Sequence, residues 1–108
     1  MIVRTWNATA TGAGARQYHR YFADTLLPQL REQPGFAGAY LLSRELDGTT
    51  ELTAHTFWAS AAAIRAFAGD DITASVVEPE AQAVLLDFDR TASHRTMLTG
   101  DRPSERVG

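Results

Sequence analysis

No cysteine occurs anywhere in the 108 residues. That excludes disulfide staples, thiolate metal sites and thiol nucleophiles. Long apolar runs are missing too. No stretch approaches the roughly 18 residues of a membrane span, and no charged-then-apolar leader opens the chain. Both absences point to a soluble, cytoplasmic protein without a membrane partner. Basic charge is scarce, with 10 Lys and Arg against 13 Asp and Glu and a net charge of −3. Without a basic stripe interleaved with aromatics, no nucleic-acid interface is expected. The 3 histidines are scattered rather than paired, so no metal site is expected. Gly12 and Gly14 are too few for a phosphate loop, and no serine sits in a nucleophile-elbow setting.

One stretch organises what is present. Glu51 to Asp71, ELTAHTFWASAAAIRAFAGDD, reads as a strand that turns directly into a helix. Leu52 to Phe57 suits a pleated strand, and Trp58 closes it. The Ser60 hydroxyl can accept from the free amides of a first helical turn. Ala61 to Ala68 is a strong helix former with Ile64, Phe67 and Ala68 on one stripe, and Gly69 follows where a left-handed cap is wanted.

Earlier in the chain, Ile2 to Thr9 reads as a first strand. Ile2, Arg4, Trp6 and Ala8 point one way, and Val3, Thr5, Asn7 and Thr9 the other. Ala15 to Arg31 carries Tyr18, Phe22, Leu26 and Leu30 at every fourth position, the mark of an amphipathic helix. Pro28 should kink or restart that helix. Phe36 to Glu45 reads as a second strand. Asp47-Gly48 is a two-residue hairpin turn, which sets a register pairing Arg44 with Glu51, Tyr40 with His55 and Ala37 with Trp58. Further on, Asp70 or Asp71 can cap a short helical piece, Ile72 to Val77, and Glu80 to Leu86 can hold another turn. Phe88 to Arg90 reads as a connection, Thr91 to Leu98 as a last strand, and residues 99–108 as a polar tail beyond a domain of residues 1–98.

The expected fold is α+β: ferredoxin-like βαββαβ, a four-stranded antiparallel sheet of order 4-1-3-2 with both helices on one face. The sheet's other face is not polar enough for water, with Tyr40, Leu42 and Phe57 on it. A second copy of the chain would cover it. The expectation is an obligate homodimer enclosing a barrel, with an interface on the order of 2,000 Å² or more.

In that order the first and third strands read as neighbours running parallel, which brings Asn7 and Trp58 to one sheet edge. Ala37 to Tyr40 and His94 then arrive there as well. The result outlines a mostly apolar pocket with few polar anchors, suited to a small aromatic or apolar ligand. Each residue also has a plainer reading. Asn7 can be an edge or bulge residue, Trp58 simple core, and His94 and His55 hydrogen-bonded structural histidines, His55 bonding Tyr40.

The join FWASAAAIRAFAGDD, with Pro34-Gly35, Pro79-Glu80 and His94, resembles the antibiotic biosynthesis monooxygenase family of dimeric α/β barrels over residues 2–98. That resemblance implies a cofactor-independent monooxygenase acting on an aromatic, polyketide-like substrate, which itself supplies the electrons to dioxygen without metal or flavin. Position and chemistry make Asn7, Trp58 and His94 the candidate catalytic residues, with His94 or His55 to take the proton, and Tyr40, His55, Phe22 and Phe67 the candidate substrate-binding residues. Asn7 and Trp58 also match haem-degrading relatives, which add a histidine ligand on a later helix. Residues 71–83 contain no histidine, so haem chemistry is not carried over. The alternative is a non-redox member of the superfamily: a small-ligand binder, cyclase or isomerase.

Overall fold

The computed structural model describes residues 1–103. Its elements are β1 (Ile2–Ala10), α1 (Gly12–Tyr21), a π turn (Phe22–Leu26), α2 (Leu27–Arg31), β2 (Phe36–Leu46), β3 (Thr49–Trp58), α3 (Ala61–Ala68), α4 (Pro79–Gln82), β4 (Asp87–Phe88) and β5 (Ser93–Thr96). This is the expected ferredoxin-like α+β fold, with β2, β3 and β1 side by side and β4 and β5 both on the far edge of β1. The last strand is thus split. Pairs with β1 add to 96 at Phe88 and to 98 at Arg95, so two extra residues loop out between Asp89 and Ala92. The expected connection at Phe88 is therefore partly strand. Of the expected tail, residues 104–108 lie outside the described residues.

Local chemistry explains the ends of the elements. Thr11 caps α1 by accepting from the Gly14 amide, and Ser60 caps α3 by accepting from Ala63. Gly69 ends α3 at φ 93°. Pro28 has no N–H for the carbonyl of Asp24, and the helix answers with a π turn in which the Leu27 amide reaches back to Phe22 O. The long helix therefore restarts rather than breaks. Asp47 and Gly48 both take positive φ, 32° and 85°, as the tight hairpin requires. Arg44 and Glu51 meet at 2.8 Å and Tyr40 pairs with His55, as the register predicts. Ala37 does not oppose Trp58: a bulge between Phe36 and Gly38 puts Phe36 there instead. Gly35, at φ 82°, has no room for a side chain, since a Cβ there would lie 2.5 Å from Ala63 Cβ. That close approach seats α3 against the start of β2.

Ile72 to Val77 is not helical. Asp71 accepts from the Thr73 amide and hydroxyl, and the segment then runs as an irregular strap. Its backbone is drawn to the loop after β4 instead: Ser75 N donates to Arg90 O, and Ala92 N to Thr73 O. Bonds spent that way are not free for a helix.

The helices cover one sheet face only. Two apolar clusters lie beneath them, one around Tyr18, Phe22, Leu52 and Ala54, the other around Leu30, Trp58 and Ile64. The opposite face is bare and leaves Tyr40 45% and Leu42 48% exposed. Among the described residues, no helix is long and apolar enough to cross a membrane.

Candidate functional site

β1 and β3 are antiparallel, not parallel as expected: Ile2 pairs with Trp58 and Asn7 with Thr53. The reason is topological. A right-handed crossover makes β1 and β2 run alike, and the hairpin then reverses β3 between them. Asn7 and Trp58 are five residues apart in register, roughly 17 Å, and they lie on opposite faces of the sheet. The expected convergence at one edge does not occur.

Asn7 lies on the bare face, where its side-chain oxygen accepts from the Thr53 hydroxyl at 2.7 Å and its amide donates to Asp89 at 3.3 Å. His55 is on that face too. Its Nδ1 lies 3.0 Å from the hydroxyl of Thr5, not bonded to Tyr40. Tyr40 meets Phe57 edge-on, with ring centroids 5.6 Å apart. Trp58 is under the helices at 0% exposure, its indole donating to the Thr56 hydroxyl and its ring stacked 5.2 Å from Phe67.

A cavity of about 50 Å³ lies at the seam of the two core clusters. Phe22 and Phe67 are in its wall, together with Trp6, Tyr18, Thr56 and Arg4. Trp58 stands behind Phe67. The π turn shapes this wall, because Phe22 and Leu26 both face it. Ser75 and Val76 of the strap close it from the other side. Such a volume takes a few water molecules, not a ring system, unless a wall moves.

Sequence reasoning passed over Arg4. The residue is only 6% exposed. It donates to Ile72 O, to Ala74 O at 2.7 Å and to His94 Nε2 at 2.9 Å. No carboxylate among the described residues pairs with it; Arg44 and Glu51 form the only ion pair there. Burial pulls the Arg4 pKa down from its ordinary value. His94, opposite Arg4 on β5, also has its pKa lowered, first by burial and then by the Arg4 charge. An imidazole that accepts from a guanidinium is neutral and carries its proton on Nδ1. Burial, reinforced by Tyr21, raises the Tyr18 phenol above its ordinary range, so it stays protonated. The sequence did hold one signal for Arg4: a charged residue on the inward, apolar side of the first strand.

Among the described residues, no three His, Asp or Glu side chains are gathered as a metal would need. His94 is linked to the cavity through Arg4, which engages its Nε2.

Residues 1–87 match the antibiotic biosynthesis monooxygenase family. The chain belongs to that family. No curated protein matches significantly. Among solved structures, the chain is similar to SnoaB, a cofactor-independent oxygenase from Streptomyces nogalater, at 25% identity and TM-score 0.55, covering 92% of this chain and 94% of that one. It is also similar to the ActVA-Orf6 monooxygenase of Streptomyces coelicolor in complex with nanaomycin D, at 21% identity and TM-score 0.63, covering 95% and 92%. A third is the heme-degrader MhuD from Mycobacterium tuberculosis with two hemes in its active site, at 23% identity and TM-score 0.54, covering 94% and 100%. The last two likenesses concern the fold. In this family member, the cavity under the helices is the place where aromatic side chains and a buried guanidinium, that of Arg4, meet.

Proposed function

We propose that the protein is a cofactor-independent monooxygenase that oxidises an aromatic, polyketide-like substrate with dioxygen in the hollow beneath its helices. One observation carries this reading. Trp6, Tyr18, Phe22 and Phe67 wall a cavity that is also lined by the buried Arg4, whose guanidinium is bonded to the half-buried His94. SnoaB, at 25% identity, is itself a cofactor-independent oxygenase.

The chemistry asks little of the protein. A methylene between two aromatic rings, activated by a carbonyl as in an anthrone, loses a proton to give an electron-rich enolate. That enolate reduces dioxygen, and a carbon–oxygen bond forms. The O–O bond of the resulting peroxide then breaks as the second C–H proton leaves, giving a ketone and water. The protein orients the rings against Phe22 and Phe67 and keeps water out. His94, neutral near pH 7, takes the first proton through Nε2 when the substrate's arrival releases that atom from Arg4. Ser75 and Val76 shift outward to admit the rings.

The bare face, with Tyr40, Leu42 and Phe57, packs against the same face of a second copy, and the protein works as a homodimer. The small cavity favours one alternative, a non-redox ligand binder, cyclase or isomerase that needs no bulky polycycle. Dioxygen uptake with an anthrone decides between them. Uptake that falls about 10²-fold or more in His94→Ala supports the oxygenase. No uptake by the wild-type protein removes it.

A further inference from the structure

Arg4 has no use as a surface cation, because it is buried. Nor is it half of an ion pair among the described residues. A buried, unpaired charge costs several kcal/mol unless something answers it. Two carbonyl dipoles and a neutral imidazole answer it in part. A guanidinium has five N–H groups. Nη1 donates to Ile72 O and His94 Nε2, and Nη2 to Ala74 O. The Nε–H and one Nη2–H have no partner among the described residues. No nitrogen there is sealed in packed protein without a partner, so the Nε–H borders open space. Arg4 also lines the cavity, as its only charged residue, among mostly apolar and aromatic walls with Thr56 and Ser75 as further polar groups.

We infer that Arg4 is an oxyanion receptor, and that the ligand of this cavity is an aromatic molecule carrying one ionised oxygen function. This deepens the monooxygenase reading and rests on its choice of site. A planar fork of N–H donors takes a carboxylate or a phenolate more strongly than any neutral oxygen, because charge-assisted bonds are shorter and about twice as strong. The two free N–H groups let it do so without leaving the strap. The aromatic walls then hold the ring while the guanidinium sets the position of its oxygen. In an oxygenase the same contact lowers the pKa of the substrate hydroxyl and keeps the reacting form populated. A neutral polycycle leaves the charge unanswered and binds less well.

The test is binding without turnover. Tryptophan fluorescence of the full chain is titrated anaerobically, at pH 8, with 2-naphthoate and with its neutral near-isostere 2-naphthamide. The wild type is expected to prefer the naphthoate at least tenfold. Arg4→Met should abolish the preference, and Arg4→Lys should keep part of it, since a point charge replaces the fork. Equal binding of the two ligands by the wild type overturns the inference. So does a preference that survives in a folded Arg4→Met. If Arg4→Met does not fold, Arg4→Lys decides: an undiminished preference overturns the receptor role, and a reduced one supports it. Failure of the oxygenase reading is separate: a protein that prefers the anion yet consumes no dioxygen with an anthrone binds as inferred here but is no oxygenase.

Discussion

The two faces of the sheet differ in kind, although one set of strands makes both. The covered face holds Trp58, Leu52 and Ala54 in dry contact with the helices, and tolerates one cation, Arg4. The bare face holds Asn7, Thr53 and His55 in small hydrogen-bonded pairs, beside exposed Tyr40 and Leu42. Residues adjacent in sequence, such as Trp6 and Asn7, therefore live in different environments. Polar groups on the bare face are numerous and weakly constrained. The few on the covered face are costly to bury, and so more informative.

Substitutions can break this contrast. Trp58→Ala removes a side chain that is fully enclosed between Phe36 and Phe67. It should cost about 3–5 kcal/mol in denaturant unfolding. A loss below about 1 kcal/mol would mean that the covered face is not the core. Leu42→Asp puts a carboxylate on the bare face. If that face meets a second copy, burying the unpaired charge should weaken the dimer by about a hundredfold or more. Sedimentation at micromolar concentration reads this directly, and an unchanged mass would leave the bare face without its proposed partner.

His94 sharpens the contrast through pH. Its folded pKa lies below the ordinary 6.5, so the unfolded chain binds a proton that the folded chain refuses. Its contribution to stability is complete above about pH 6.5 and is lost as pH falls toward the lowered value. The melting temperature should drop over that window, and the drop should shrink in His94→Asn. An equal drop in both proteins assigns the effect elsewhere. The smallest effect belongs to the rim of the bare face. Arg44 and Glu51 form an exposed pair at 2.8 Å. Arg44→Ala should cost about 0.2–1 kcal/mol by equilibrium unfolding, less at high salt.

The parts legible in the chain were those governed by near neighbours. Ser60 and Gly69 bracket α3 as read, and Asp47-Gly48 places the hairpin and its Arg44–Glu51 pair. The alternation of Ile2, Arg4, Trp6 and Ala8 against Val3, Thr5, Asn7 and Thr9 also holds. Phe22 and Phe67 do reach a common cavity. The strap was misread because Asp71 and the residues after it look like a capped helix. Only the distant partners Arg4, Arg90 and Ala92 show why they stay extended. Ala37 was misplaced by one residue, since a bulge leaves little trace in composition.

The chain by itself determined the order of the main elements, their caps, the hairpin register near its turn and which residues of a strand share a face, because these depend on backbone preference and on period. Tertiary structure alone decided which way β3 runs against β1, and therefore that Asn7 and Trp58 never meet. It alone gave Arg4 its partners. Strand direction and cavity walls come from contacts between segments dozens of residues apart, and no local pattern records those.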